Sequence, residues 1–456
     1  MQMSLVEDSP VHSSSSDDFA TILASELASD SSDSSSDGDP EDSDNIEGND
    51  CKRIKTCVVE EVDKSEELHS SVSFEISEQN LDISVNEACP HPGSFEDMCI
   101  KCGERLPEES GVTFGYIHKG LRLANDEIDR LRTEDMKNLL RLKKLNLILD
   151  LDHTLLNSTP LTLLTQEEEY LKTRTDNLQN VAKGSLFVLP HMHTMTKLRP
   201  FVRTFLKEAS TMFEMYIYTM GDRPYALEMA KLLDPEKEYF NARVISRDDG
   251  TQRHQKGLDV ILGKDSAVLI LDDTEHAWTK HKDNLILMER YHYFASSCQQ
   301  FGFSCKSLSQ LEHDESESDG ALATAIDVLR QIHAMFFTVL AAEKEPCDRD
   351  VRQVLKSVRR ESLRGCRLVF SRVFPTKFPA ESHPLWRMAE QLGATCSVDV
   401  EPSVTHVVAL DAGTEKSRWA AKEKKFLVNP QWIEASYYRW KRQPEEKYSV
   451  NLPSNA

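Results

Sequence analysis

An apolar run ends in two acids one residue apart: Leu147-Ile148-Leu149-Asp150-Leu151-Asp152-His153-Thr154. An apolar run of this kind reads as a β-strand. Alternate residues of an extended chain point the same way, so Asp150 and Asp152 are expected to face one crevice. In an open α/β sheet, ligands bind in the crevice outside the carboxyl ends of the strands. One carboxylate there can act as nucleophile and the other as acid and base, with a metal offsetting their repulsion. Alone, the pattern also fits a capping pair or a metal site without chemistry.

Three later segments favour chemistry. Phe213-Glu214-Met215-Tyr216-Ile217-Tyr218-Thr219-Met220-Gly221 is a second apolar strand, ending in a hydroxyl and a glycine. A hydroxyl and backbone N–H groups at a strand-to-helix turn suit a phosphate oxygen. Lys256 follows in Arg253-His254-Gln255-Lys256-Gly257-Leu258, and Ala267-Val268-Leu269-Ile270-Leu271-Asp272-Asp273 is a third strand, ending in a carboxylate pair. The order Asp-x-Asp, Thr, Lys, Asp-Asp resembles the haloacid-dehalogenase (HAD) phosphohydrolase superfamily.

The flanking words narrow the resemblance. They are Leu198-Arg199-Pro200-Phe201-Val202, Tyr218-Thr219-Met220-Gly221-Asp222-Arg223, Ser246-Arg247-Asp248-Asp249-Gly250 and Asp272-Asp273-Thr274-Glu275-His276-Ala277-Trp278. Over residues 141–310 the chain resembles the phosphatases of the RNA polymerase II C-terminal domain (CTD), the TFIIF-associating and small CTD phosphatase group. Order and size are most similar to the plant CTD-phosphatase-like proteins. The resemblance implies an aspartate-based protein-serine phosphatase, nuclear, acting on the polymerase heptad repeats and regulating transcription, with TFIIF as a further partner. It implies Asp150 as nucleophile, Asp152 as acid and base, Thr219 on a phosphate oxygen and Lys256 balancing the phosphoryl charge. It also implies Mg²⁺, replaceable by Mn²⁺ or Co²⁺, on Asp150, the Asp152 carbonyl and Asp272, with Asp273 acting through water. Arg223 and Arg247 are candidate phosphopeptide contacts, and surface solvation or a structural ion pair is the simpler reading of both. Gly257 departs from the related phosphatases, which often carry a side chain after the lysine.

The chain has 456 residues, room for two or three domains, and a net charge of −22 from 54 basic and 76 acidic residues. That balance argues against direct nucleic-acid binding through bulk charge. With no apolar run of spanning length and no apolar leader, neither a membrane segment nor a secretory signal is expected. Residues 1–85 are expected to be a disordered acidic, serine-rich tail, with Lys52-Arg53-Ile54-Lys55 as a candidate nuclear import signal. Ten cysteines show no compact framework. Cys89-Pro90-His91 and Cys99-Ile100-Lys101-Cys102-Gly103 offer Cys89, His91, Cys99 and Cys102 as candidate ligands of a structural Zn²⁺ in a small knuckle over residues 86–106. The alternative is a loop with reduced thiols.

Apolar spacing predicts a helix over 117–144 and another over 321–342, its stripe Ile326, Leu329, Ile332, Met335, Phe336 and Leu340. Between the first two strands, Gln166 to Asn180 is expected as helix, and Ser185 to Leu189 and Met195 to Leu198 as short strands. Residues 311–357 are expected to be a linker carrying the second helix. Residues 358–451 resemble a BRCT domain: an Arg367-Leu368-Val369-Phe370 strand, a helix ending at Gly393-Ala394, a Thr405-His406-Val407-Val408 strand and a late Trp432 helix. Ser371, Thr414 and Lys416 lie where some BRCT domains hold phosphate. The expected class is therefore α/β: a HAD-like Rossmannoid parallel sheet with an insertion, a small C-terminal α/β BRCT domain and the disordered tail. Competing readings are a BRCT-based phosphoprotein-binding scaffold and a HAD phosphatase of small metabolites.

Overall fold

The computed structural model describes residues 89–107, 111–343, 345, 348–375 and 378–450. The expected acidic tail and its Lys52-Arg53-Ile54-Lys55 island lie outside them. Strands β1 (Gly93–Phe95), β2 (Met98–Cys99), β3 (Val112–Thr113) and β4 (Leu121–Leu123) form a small antiparallel sheet in the order β2-β1-β4-β3. Helix α1 (Asn125–Leu142) follows, starting later than the periodicity predicts. Leu121 and Leu123 fit the helical stripe, yet pairing with β1 holds them in β4 and buries Leu123. A local pattern cannot separate these outcomes, because the deciding strand is distant in sequence.

Strand β5 (Leu145–Leu149) leads out of α1, with all five residues buried. An insertion comes next: β6 (Leu156–Pro160), β7 (Leu186–Leu189) and β8 (Thr194–Leu198), antiparallel in the order β6-β8-β7. Strand β6 has no sequence signal, being half polar. The Gln166–Asn180 stretch is not an α-helix; it forms 3-10 turns at Gln166–Thr173 and Leu178–Lys183. The first opens with a Thr165–Glu168 capping box, and Glu168 is pulled inward, its Oε1 accepting from Ala295 N and Ser309 Oγ.

Helix α2 (Val202–Ser210), β9 (Phe213–Tyr218), α3 (Arg223–Leu233), β10 (Val244–Ile245), β11 (Val268–Asp272) and β12 (Leu285–Leu287) complete the main sheet. It is wholly parallel, in the order β10-β9-β5-β11-β12. Central β5 has β9 on one side and β11 on the other, so the chain reverses its winding around β5. That reversal is the topological switch point where such sheets open a crevice. Register sets the site: Leu149 pairs with Ile217 of β9 and with Leu271 of β11. Asp150 therefore emerges beside Asp272, with Thr219 one residue further on, just past β9.

Helices α4 (Ala295–Gln300), α5 (Ala321–Glu343) and α6 (Val351–Glu361) follow. Ile326, Leu329, Ile332 and Phe336 of α5 are buried in the core that holds Leu147, Phe205 and Met229, as the stripe requires. Val351, Val354, Leu355 and Val358 of α6 join the same core. The segment expected as a linker is thus part of the catalytic body. Among the described residues no helix is long and apolar enough to cross a membrane.

The C-terminal unit comprises β13 (Arg367–Ser371), α7 (Pro384–Gln391), β14 (Thr395–Ser397), β15 (His406–Ala409), α8 (Glu415–Lys422), β16 (Phe426–Val428) and α9 (Gln431–Arg439). Its sheet is four-stranded and parallel, ordered β14-β13-β15-β16. Gly393 ends α7 with φ +90°, and a Cβ there would overlap the Arg360 carbonyl oxygen at 2.0 Å, so a side chain fails on both counts. The unit sits against β12 and α6. Arg359 Nη2 donates to the Leu285 carbonyl at 2.9 Å and stacks on Trp440, and Trp440 belongs to the catalytic core cluster.

Candidate active site

Asp150 lies just past β5, its N–H still donating to the Leu271 carbonyl at 3.0 Å. The chain then leaves the sheet: His153 takes a left-handed φ of 63°, and Leu155 and Leu156 N–H groups close onto the Leu151 carbonyl. Asp152 is therefore delivered by a turn, not by strand alternation. Lys256 Nζ donates to Asp150 Oδ1 at 2.5 Å and to Asp272 Oδ2 at 2.7 Å. Trp278 Nε1 donates to the same Asp272 oxygen at 2.8 Å, and Thr274 N–H to the other at 2.8 Å. Asp273 is held by Arg290 Nε at 2.7 Å and Thr274 Oγ1 at 3.0 Å, with Thr154 Oγ1 at 3.4 Å.

These groups are buried: Lys256 is 4% exposed, Asp272 1% and Asp150 7%. Burial, and then the Asp272 charge, push Asp150 well above the ordinary carboxylate range against the pull of Lys256. Burial likewise raises Asp272, again opposed by Lys256. Burial alone would lower Lys256, but the Asp150 and Asp272 charges outweigh it and hold the ammonium protonated. Burial also acts to raise Asp273, and there His153 and Arg290 win and lower it.

Oxygens of Asp150, Asp272 and Asp273 lie within 4.8 Å of one another. Three buried carboxylates face two cations, Lys256 and Arg290, so the cluster lacks positive charge. An all-oxygen, under-neutralised donor set fits a divalent cation.

Asp152 is oriented by Tyr225, whose hydroxyl donates to Oδ1 at 2.5 Å and contacts Ser158 Oγ at 3.0 Å. Burial raises Asp152, and the Tyr225 hydrogen bond partly offsets this. Tyr225 stands on the first turn of α3, which Asp222 caps through Tyr225 N at 2.8 Å. Gly221 makes room for it: a Cβ there would stand 2.7 Å from Tyr225 Cδ1. Thr219 is fully buried at the crevice floor, and its Oγ1 accepts from Gly221 N at 3.0 Å. That leaves its own proton for another acceptor.

The two candidate substrate arginines behave differently. Arg223 is tied to Asp249 at 3.2 Å and to the Val244 and Tyr116 carbonyls, a structural engagement. Arg247 is exposed, with its N–H donating to the Gly221 carbonyl beside the Thr219 turn. Gly257 donates to Tyr218 OH, and a side chain there would crowd the Asp259 carboxylate. Ser371 and Thr414 hydroxyls meet at 2.7 Å, and Lys416 Nζ donates to the Phe370 and Val398 carbonyls.

Sequence reasoning assigns no role to Tyr225, Arg290 or Arg199. Arg199 is fully buried and chelates Glu315 at 2.6 and 2.9 Å while binding the Thr154 carbonyl at 3.0 Å. It pins the turn after Asp152 to the chain before α5. Arg199 stands in a flanking word, but its partner cannot be read without the fold.

Comparison with known proteins agrees with this geometry. Residues 145–317 match the NLI interacting factor-like phosphatase family, and residues 359–437 match the BRCA1 C Terminus (BRCT) domain. An Arabidopsis thaliana protein, RNA polymerase II C-terminal domain phosphatase-like 4, is 57% identical over 453 residues, covering 98% of this chain and 98% of its own length. This chain belongs to the RNA polymerase II CTD phosphatase family. The phosphatase is also 29% identical to an RNA polymerase II CTD phosphatase of Caenorhabditis elegans, over 82% of this chain and 57% of that one. A structure of the fission yeast RNA polymerase II CTD phosphatase bound to beryllium fluoride matches with TM-score 0.55 and 26% identity, covering 71% of this phosphatase and all of that chain. The HAD-like fold with its buried aspartate triad indicates use of a divalent metal.

Proposed function

We propose that this chain is a Mg²⁺-dependent protein-serine phosphatase that dephosphorylates the heptad repeats of the largest RNA polymerase II subunit in the nucleus, through an aspartyl-phosphate on Asp150. TFIIF is a further proposed partner. One observation carries the reading: Lys256 bridges Asp150 and Asp272 in a buried cluster, with Asp152 positioned separately by Tyr225. A nucleophile and an acid in different environments are what two-step phosphoryl transfer needs.

An Asp150 carboxylate oxygen attacks phosphorus in line, the bond to the serine oxygen breaks, and an acyl phosphate forms on Asp150. Asp152 protonates the departing serine oxygen, then takes a proton from the water that cleaves the acyl phosphate. Burial favours protonated Asp152, the form the first step requires, while at Asp150 the Lys256 charge opposes the same burial and supports the ionised nucleophile. Tyr225 occupies Oδ1, which leaves the transferable proton on Oδ2. Lys256 balances charge at the nucleophile, and the Thr219 hydroxyl donates to a phosphoryl oxygen. Mg²⁺ would sit on Asp150, the Asp152 carbonyl and Asp272, with Asp273 acting through water, and would supply Lewis-acid charge to the transferring group. Mn²⁺ or Co²⁺ fit the same oxygens.

The test is phosphate release from a doubly phosphorylated CTD repeat peptide by wild type and Asp150→Asn, with Mg²⁺ and with chelator, beside a sugar phosphate. Release that needs Asp150 and metal and favours the peptide is expected. Release independent of either overturns the mechanism, and equal turnover of the sugar phosphate overturns the substrate.

A further inference from the structure

A second ligand group lies away from the carboxylates. Cys89, His91, Cys99 and Cys102 place three thiols and one imidazole nitrogen within 4.8 Å of one another. We infer that these four residues hold a structural zinc ion that ties together the β1–β2 end of the small sheet, which packs on the catalytic domain. This inference is independent of the hydrolysis proposed above.

The geometry is that of a tetrahedral site. Zinc bonds of about 2.3 Å to sulfur and about 2.0 Å to nitrogen imply a sulfur–nitrogen edge of roughly 3.6 Å. Cys102 Sγ and His91 Nδ1 are 3.5 Å apart. The Cys99–Gly103 turn points sulfur inward: Lys101 N–H approaches Cys99 Sγ at 3.4 Å, and Gly103, at φ +73°, donates to the Cys99 carbonyl at 2.9 Å. N–H groups aimed at sulfur favour the thiolate, the form that binds metal. The imidazole also shows an outer partner. With Nδ1 facing the thiol cluster, Nε2 faces Glu104 at 3.5 Å, the carboxylate–histidine arrangement that orients zinc-ligating histidines.

The fold supplies a reason for a staple. Strands β1 to β4 are two or three residues long, too short to hold themselves. Their sheet nevertheless supports the catalytic domain. Phe114, Tyr116 and Leu123 pack with Tyr218, Leu258 and Trp278. Tyr116 OH donates to the Val260 carbonyl at 2.9 Å, in the segment that follows Lys256. Zinc in the knuckle would thereby steady the loop carrying Lys256.

The experiment is metal analysis of the full-length protein purified without added metal, with Cys102→Ser, Asp150→Asn and Cys305→Ser for comparison. Cys305 is exposed and far along the chain from the cluster. One zinc per chain is expected in wild type, Asp150→Asn and Cys305→Ser, and loss of zinc in Cys102→Ser. Exchange of wild type into Co²⁺ should give tetrahedral d–d bands with thiolate charge transfer, a readout that needs no variant to fold. Zinc absent from wild type, zinc retained by Cys102→Ser, or a cobalt spectrum lacking the tetrahedral thiolate bands would each overturn the site. Zinc present in a wild type that releases no phosphate from the CTD peptide would sink the phosphatase reading and leave this one standing.

Discussion

The Tyr225 hydroxyl donates to Asp152 Oδ1 at 2.5 Å, joining the first turn of α3 to the turn after β5. Tyr225 acts here as a positioning residue. It fixes the carboxyl rotamer and stabilises the ionised form against the burial that raises Asp152. Tyr225→Phe should lower kcat on a serine phosphopeptide by about 10- to 100-fold, the worth of one hydrogen bond to a charged group. Loss of the donor raises Asp152 further, so the pH–rate profile should move to higher pH. An aryl phosphate, whose leaving group needs little protonation, should be less affected. Gly221→Ala should act through the same ring, so the double variant should add little to either single one. Equal losses on both substrates, or additive effects, would exclude this coupling.

Arg290 reaches the metal site through Asp273, which it grips at 2.7 Å, and through Thr274 Oγ1 at 3.5 Å, while stacking on Phe301. Arg290→Gln frees an outer carboxylate. The expected result is a Mg²⁺ activation constant weaker by about 10- to 100-fold, with kcat largely recovered at saturating metal. Titration of activity against Mg²⁺ decides it, and an unchanged constant would show that Arg290 does not support metal binding.

Trp440 ends α9 of the BRCT unit yet is 6% exposed within the catalytic core cluster, under Arg359. Trp440→Ala should cost about 3–5 kcal/mol. It should also lower the temperature of thermal inactivation of phosphatase activity, with the BRCT unit and the activity melting in one transition in the wild type. Two separate transitions in calorimetry would show that the units are independent.

His406 is buried between Phe426 and Trp432, and burial holds its pKa at about 4 despite the Glu445 hydrogen bond. In the unfolded chain it titrates near 6.5. Between these values the unfolded state binds the extra proton, so stability is full above about pH 6.5 and is lost as pH falls toward 4. The loss attributable to this group is at most about 3 kcal/mol. His406→Gln should flatten the slope of stability against pH in that window, measured by denaturant unfolding at several pH values. An unchanged slope would assign the dependence to other groups.

Much of the site is legible because its signals are local. The apolar Leu147-Ile148-Leu149 followed by Asp150-Leu151-Asp152 announces a strand with acids at its end, and Val268–Asp272 followed by Asp273 announces its neighbour in the same way. The α5 stripe is core for the same reason. Residues 117–124 and Gln166–Asn180 depart from the helices their spacing predicts because distant partners, β1 for β4 and Ala295 for Glu168, override local preference.

Sequence by itself determined that Asp150, Thr219 and Asp272 stand at the ends of buried strands, because apolar runs and their terminal polar residues are properties of a short window. Tertiary structure alone decided that Asp150 stands beside Asp272, that Tyr225 reaches Asp152 and that Arg199 closes on Glu315. Those contacts join residues far apart in the chain, and strand register and helix placement, set by packing of the whole core, have no local signature.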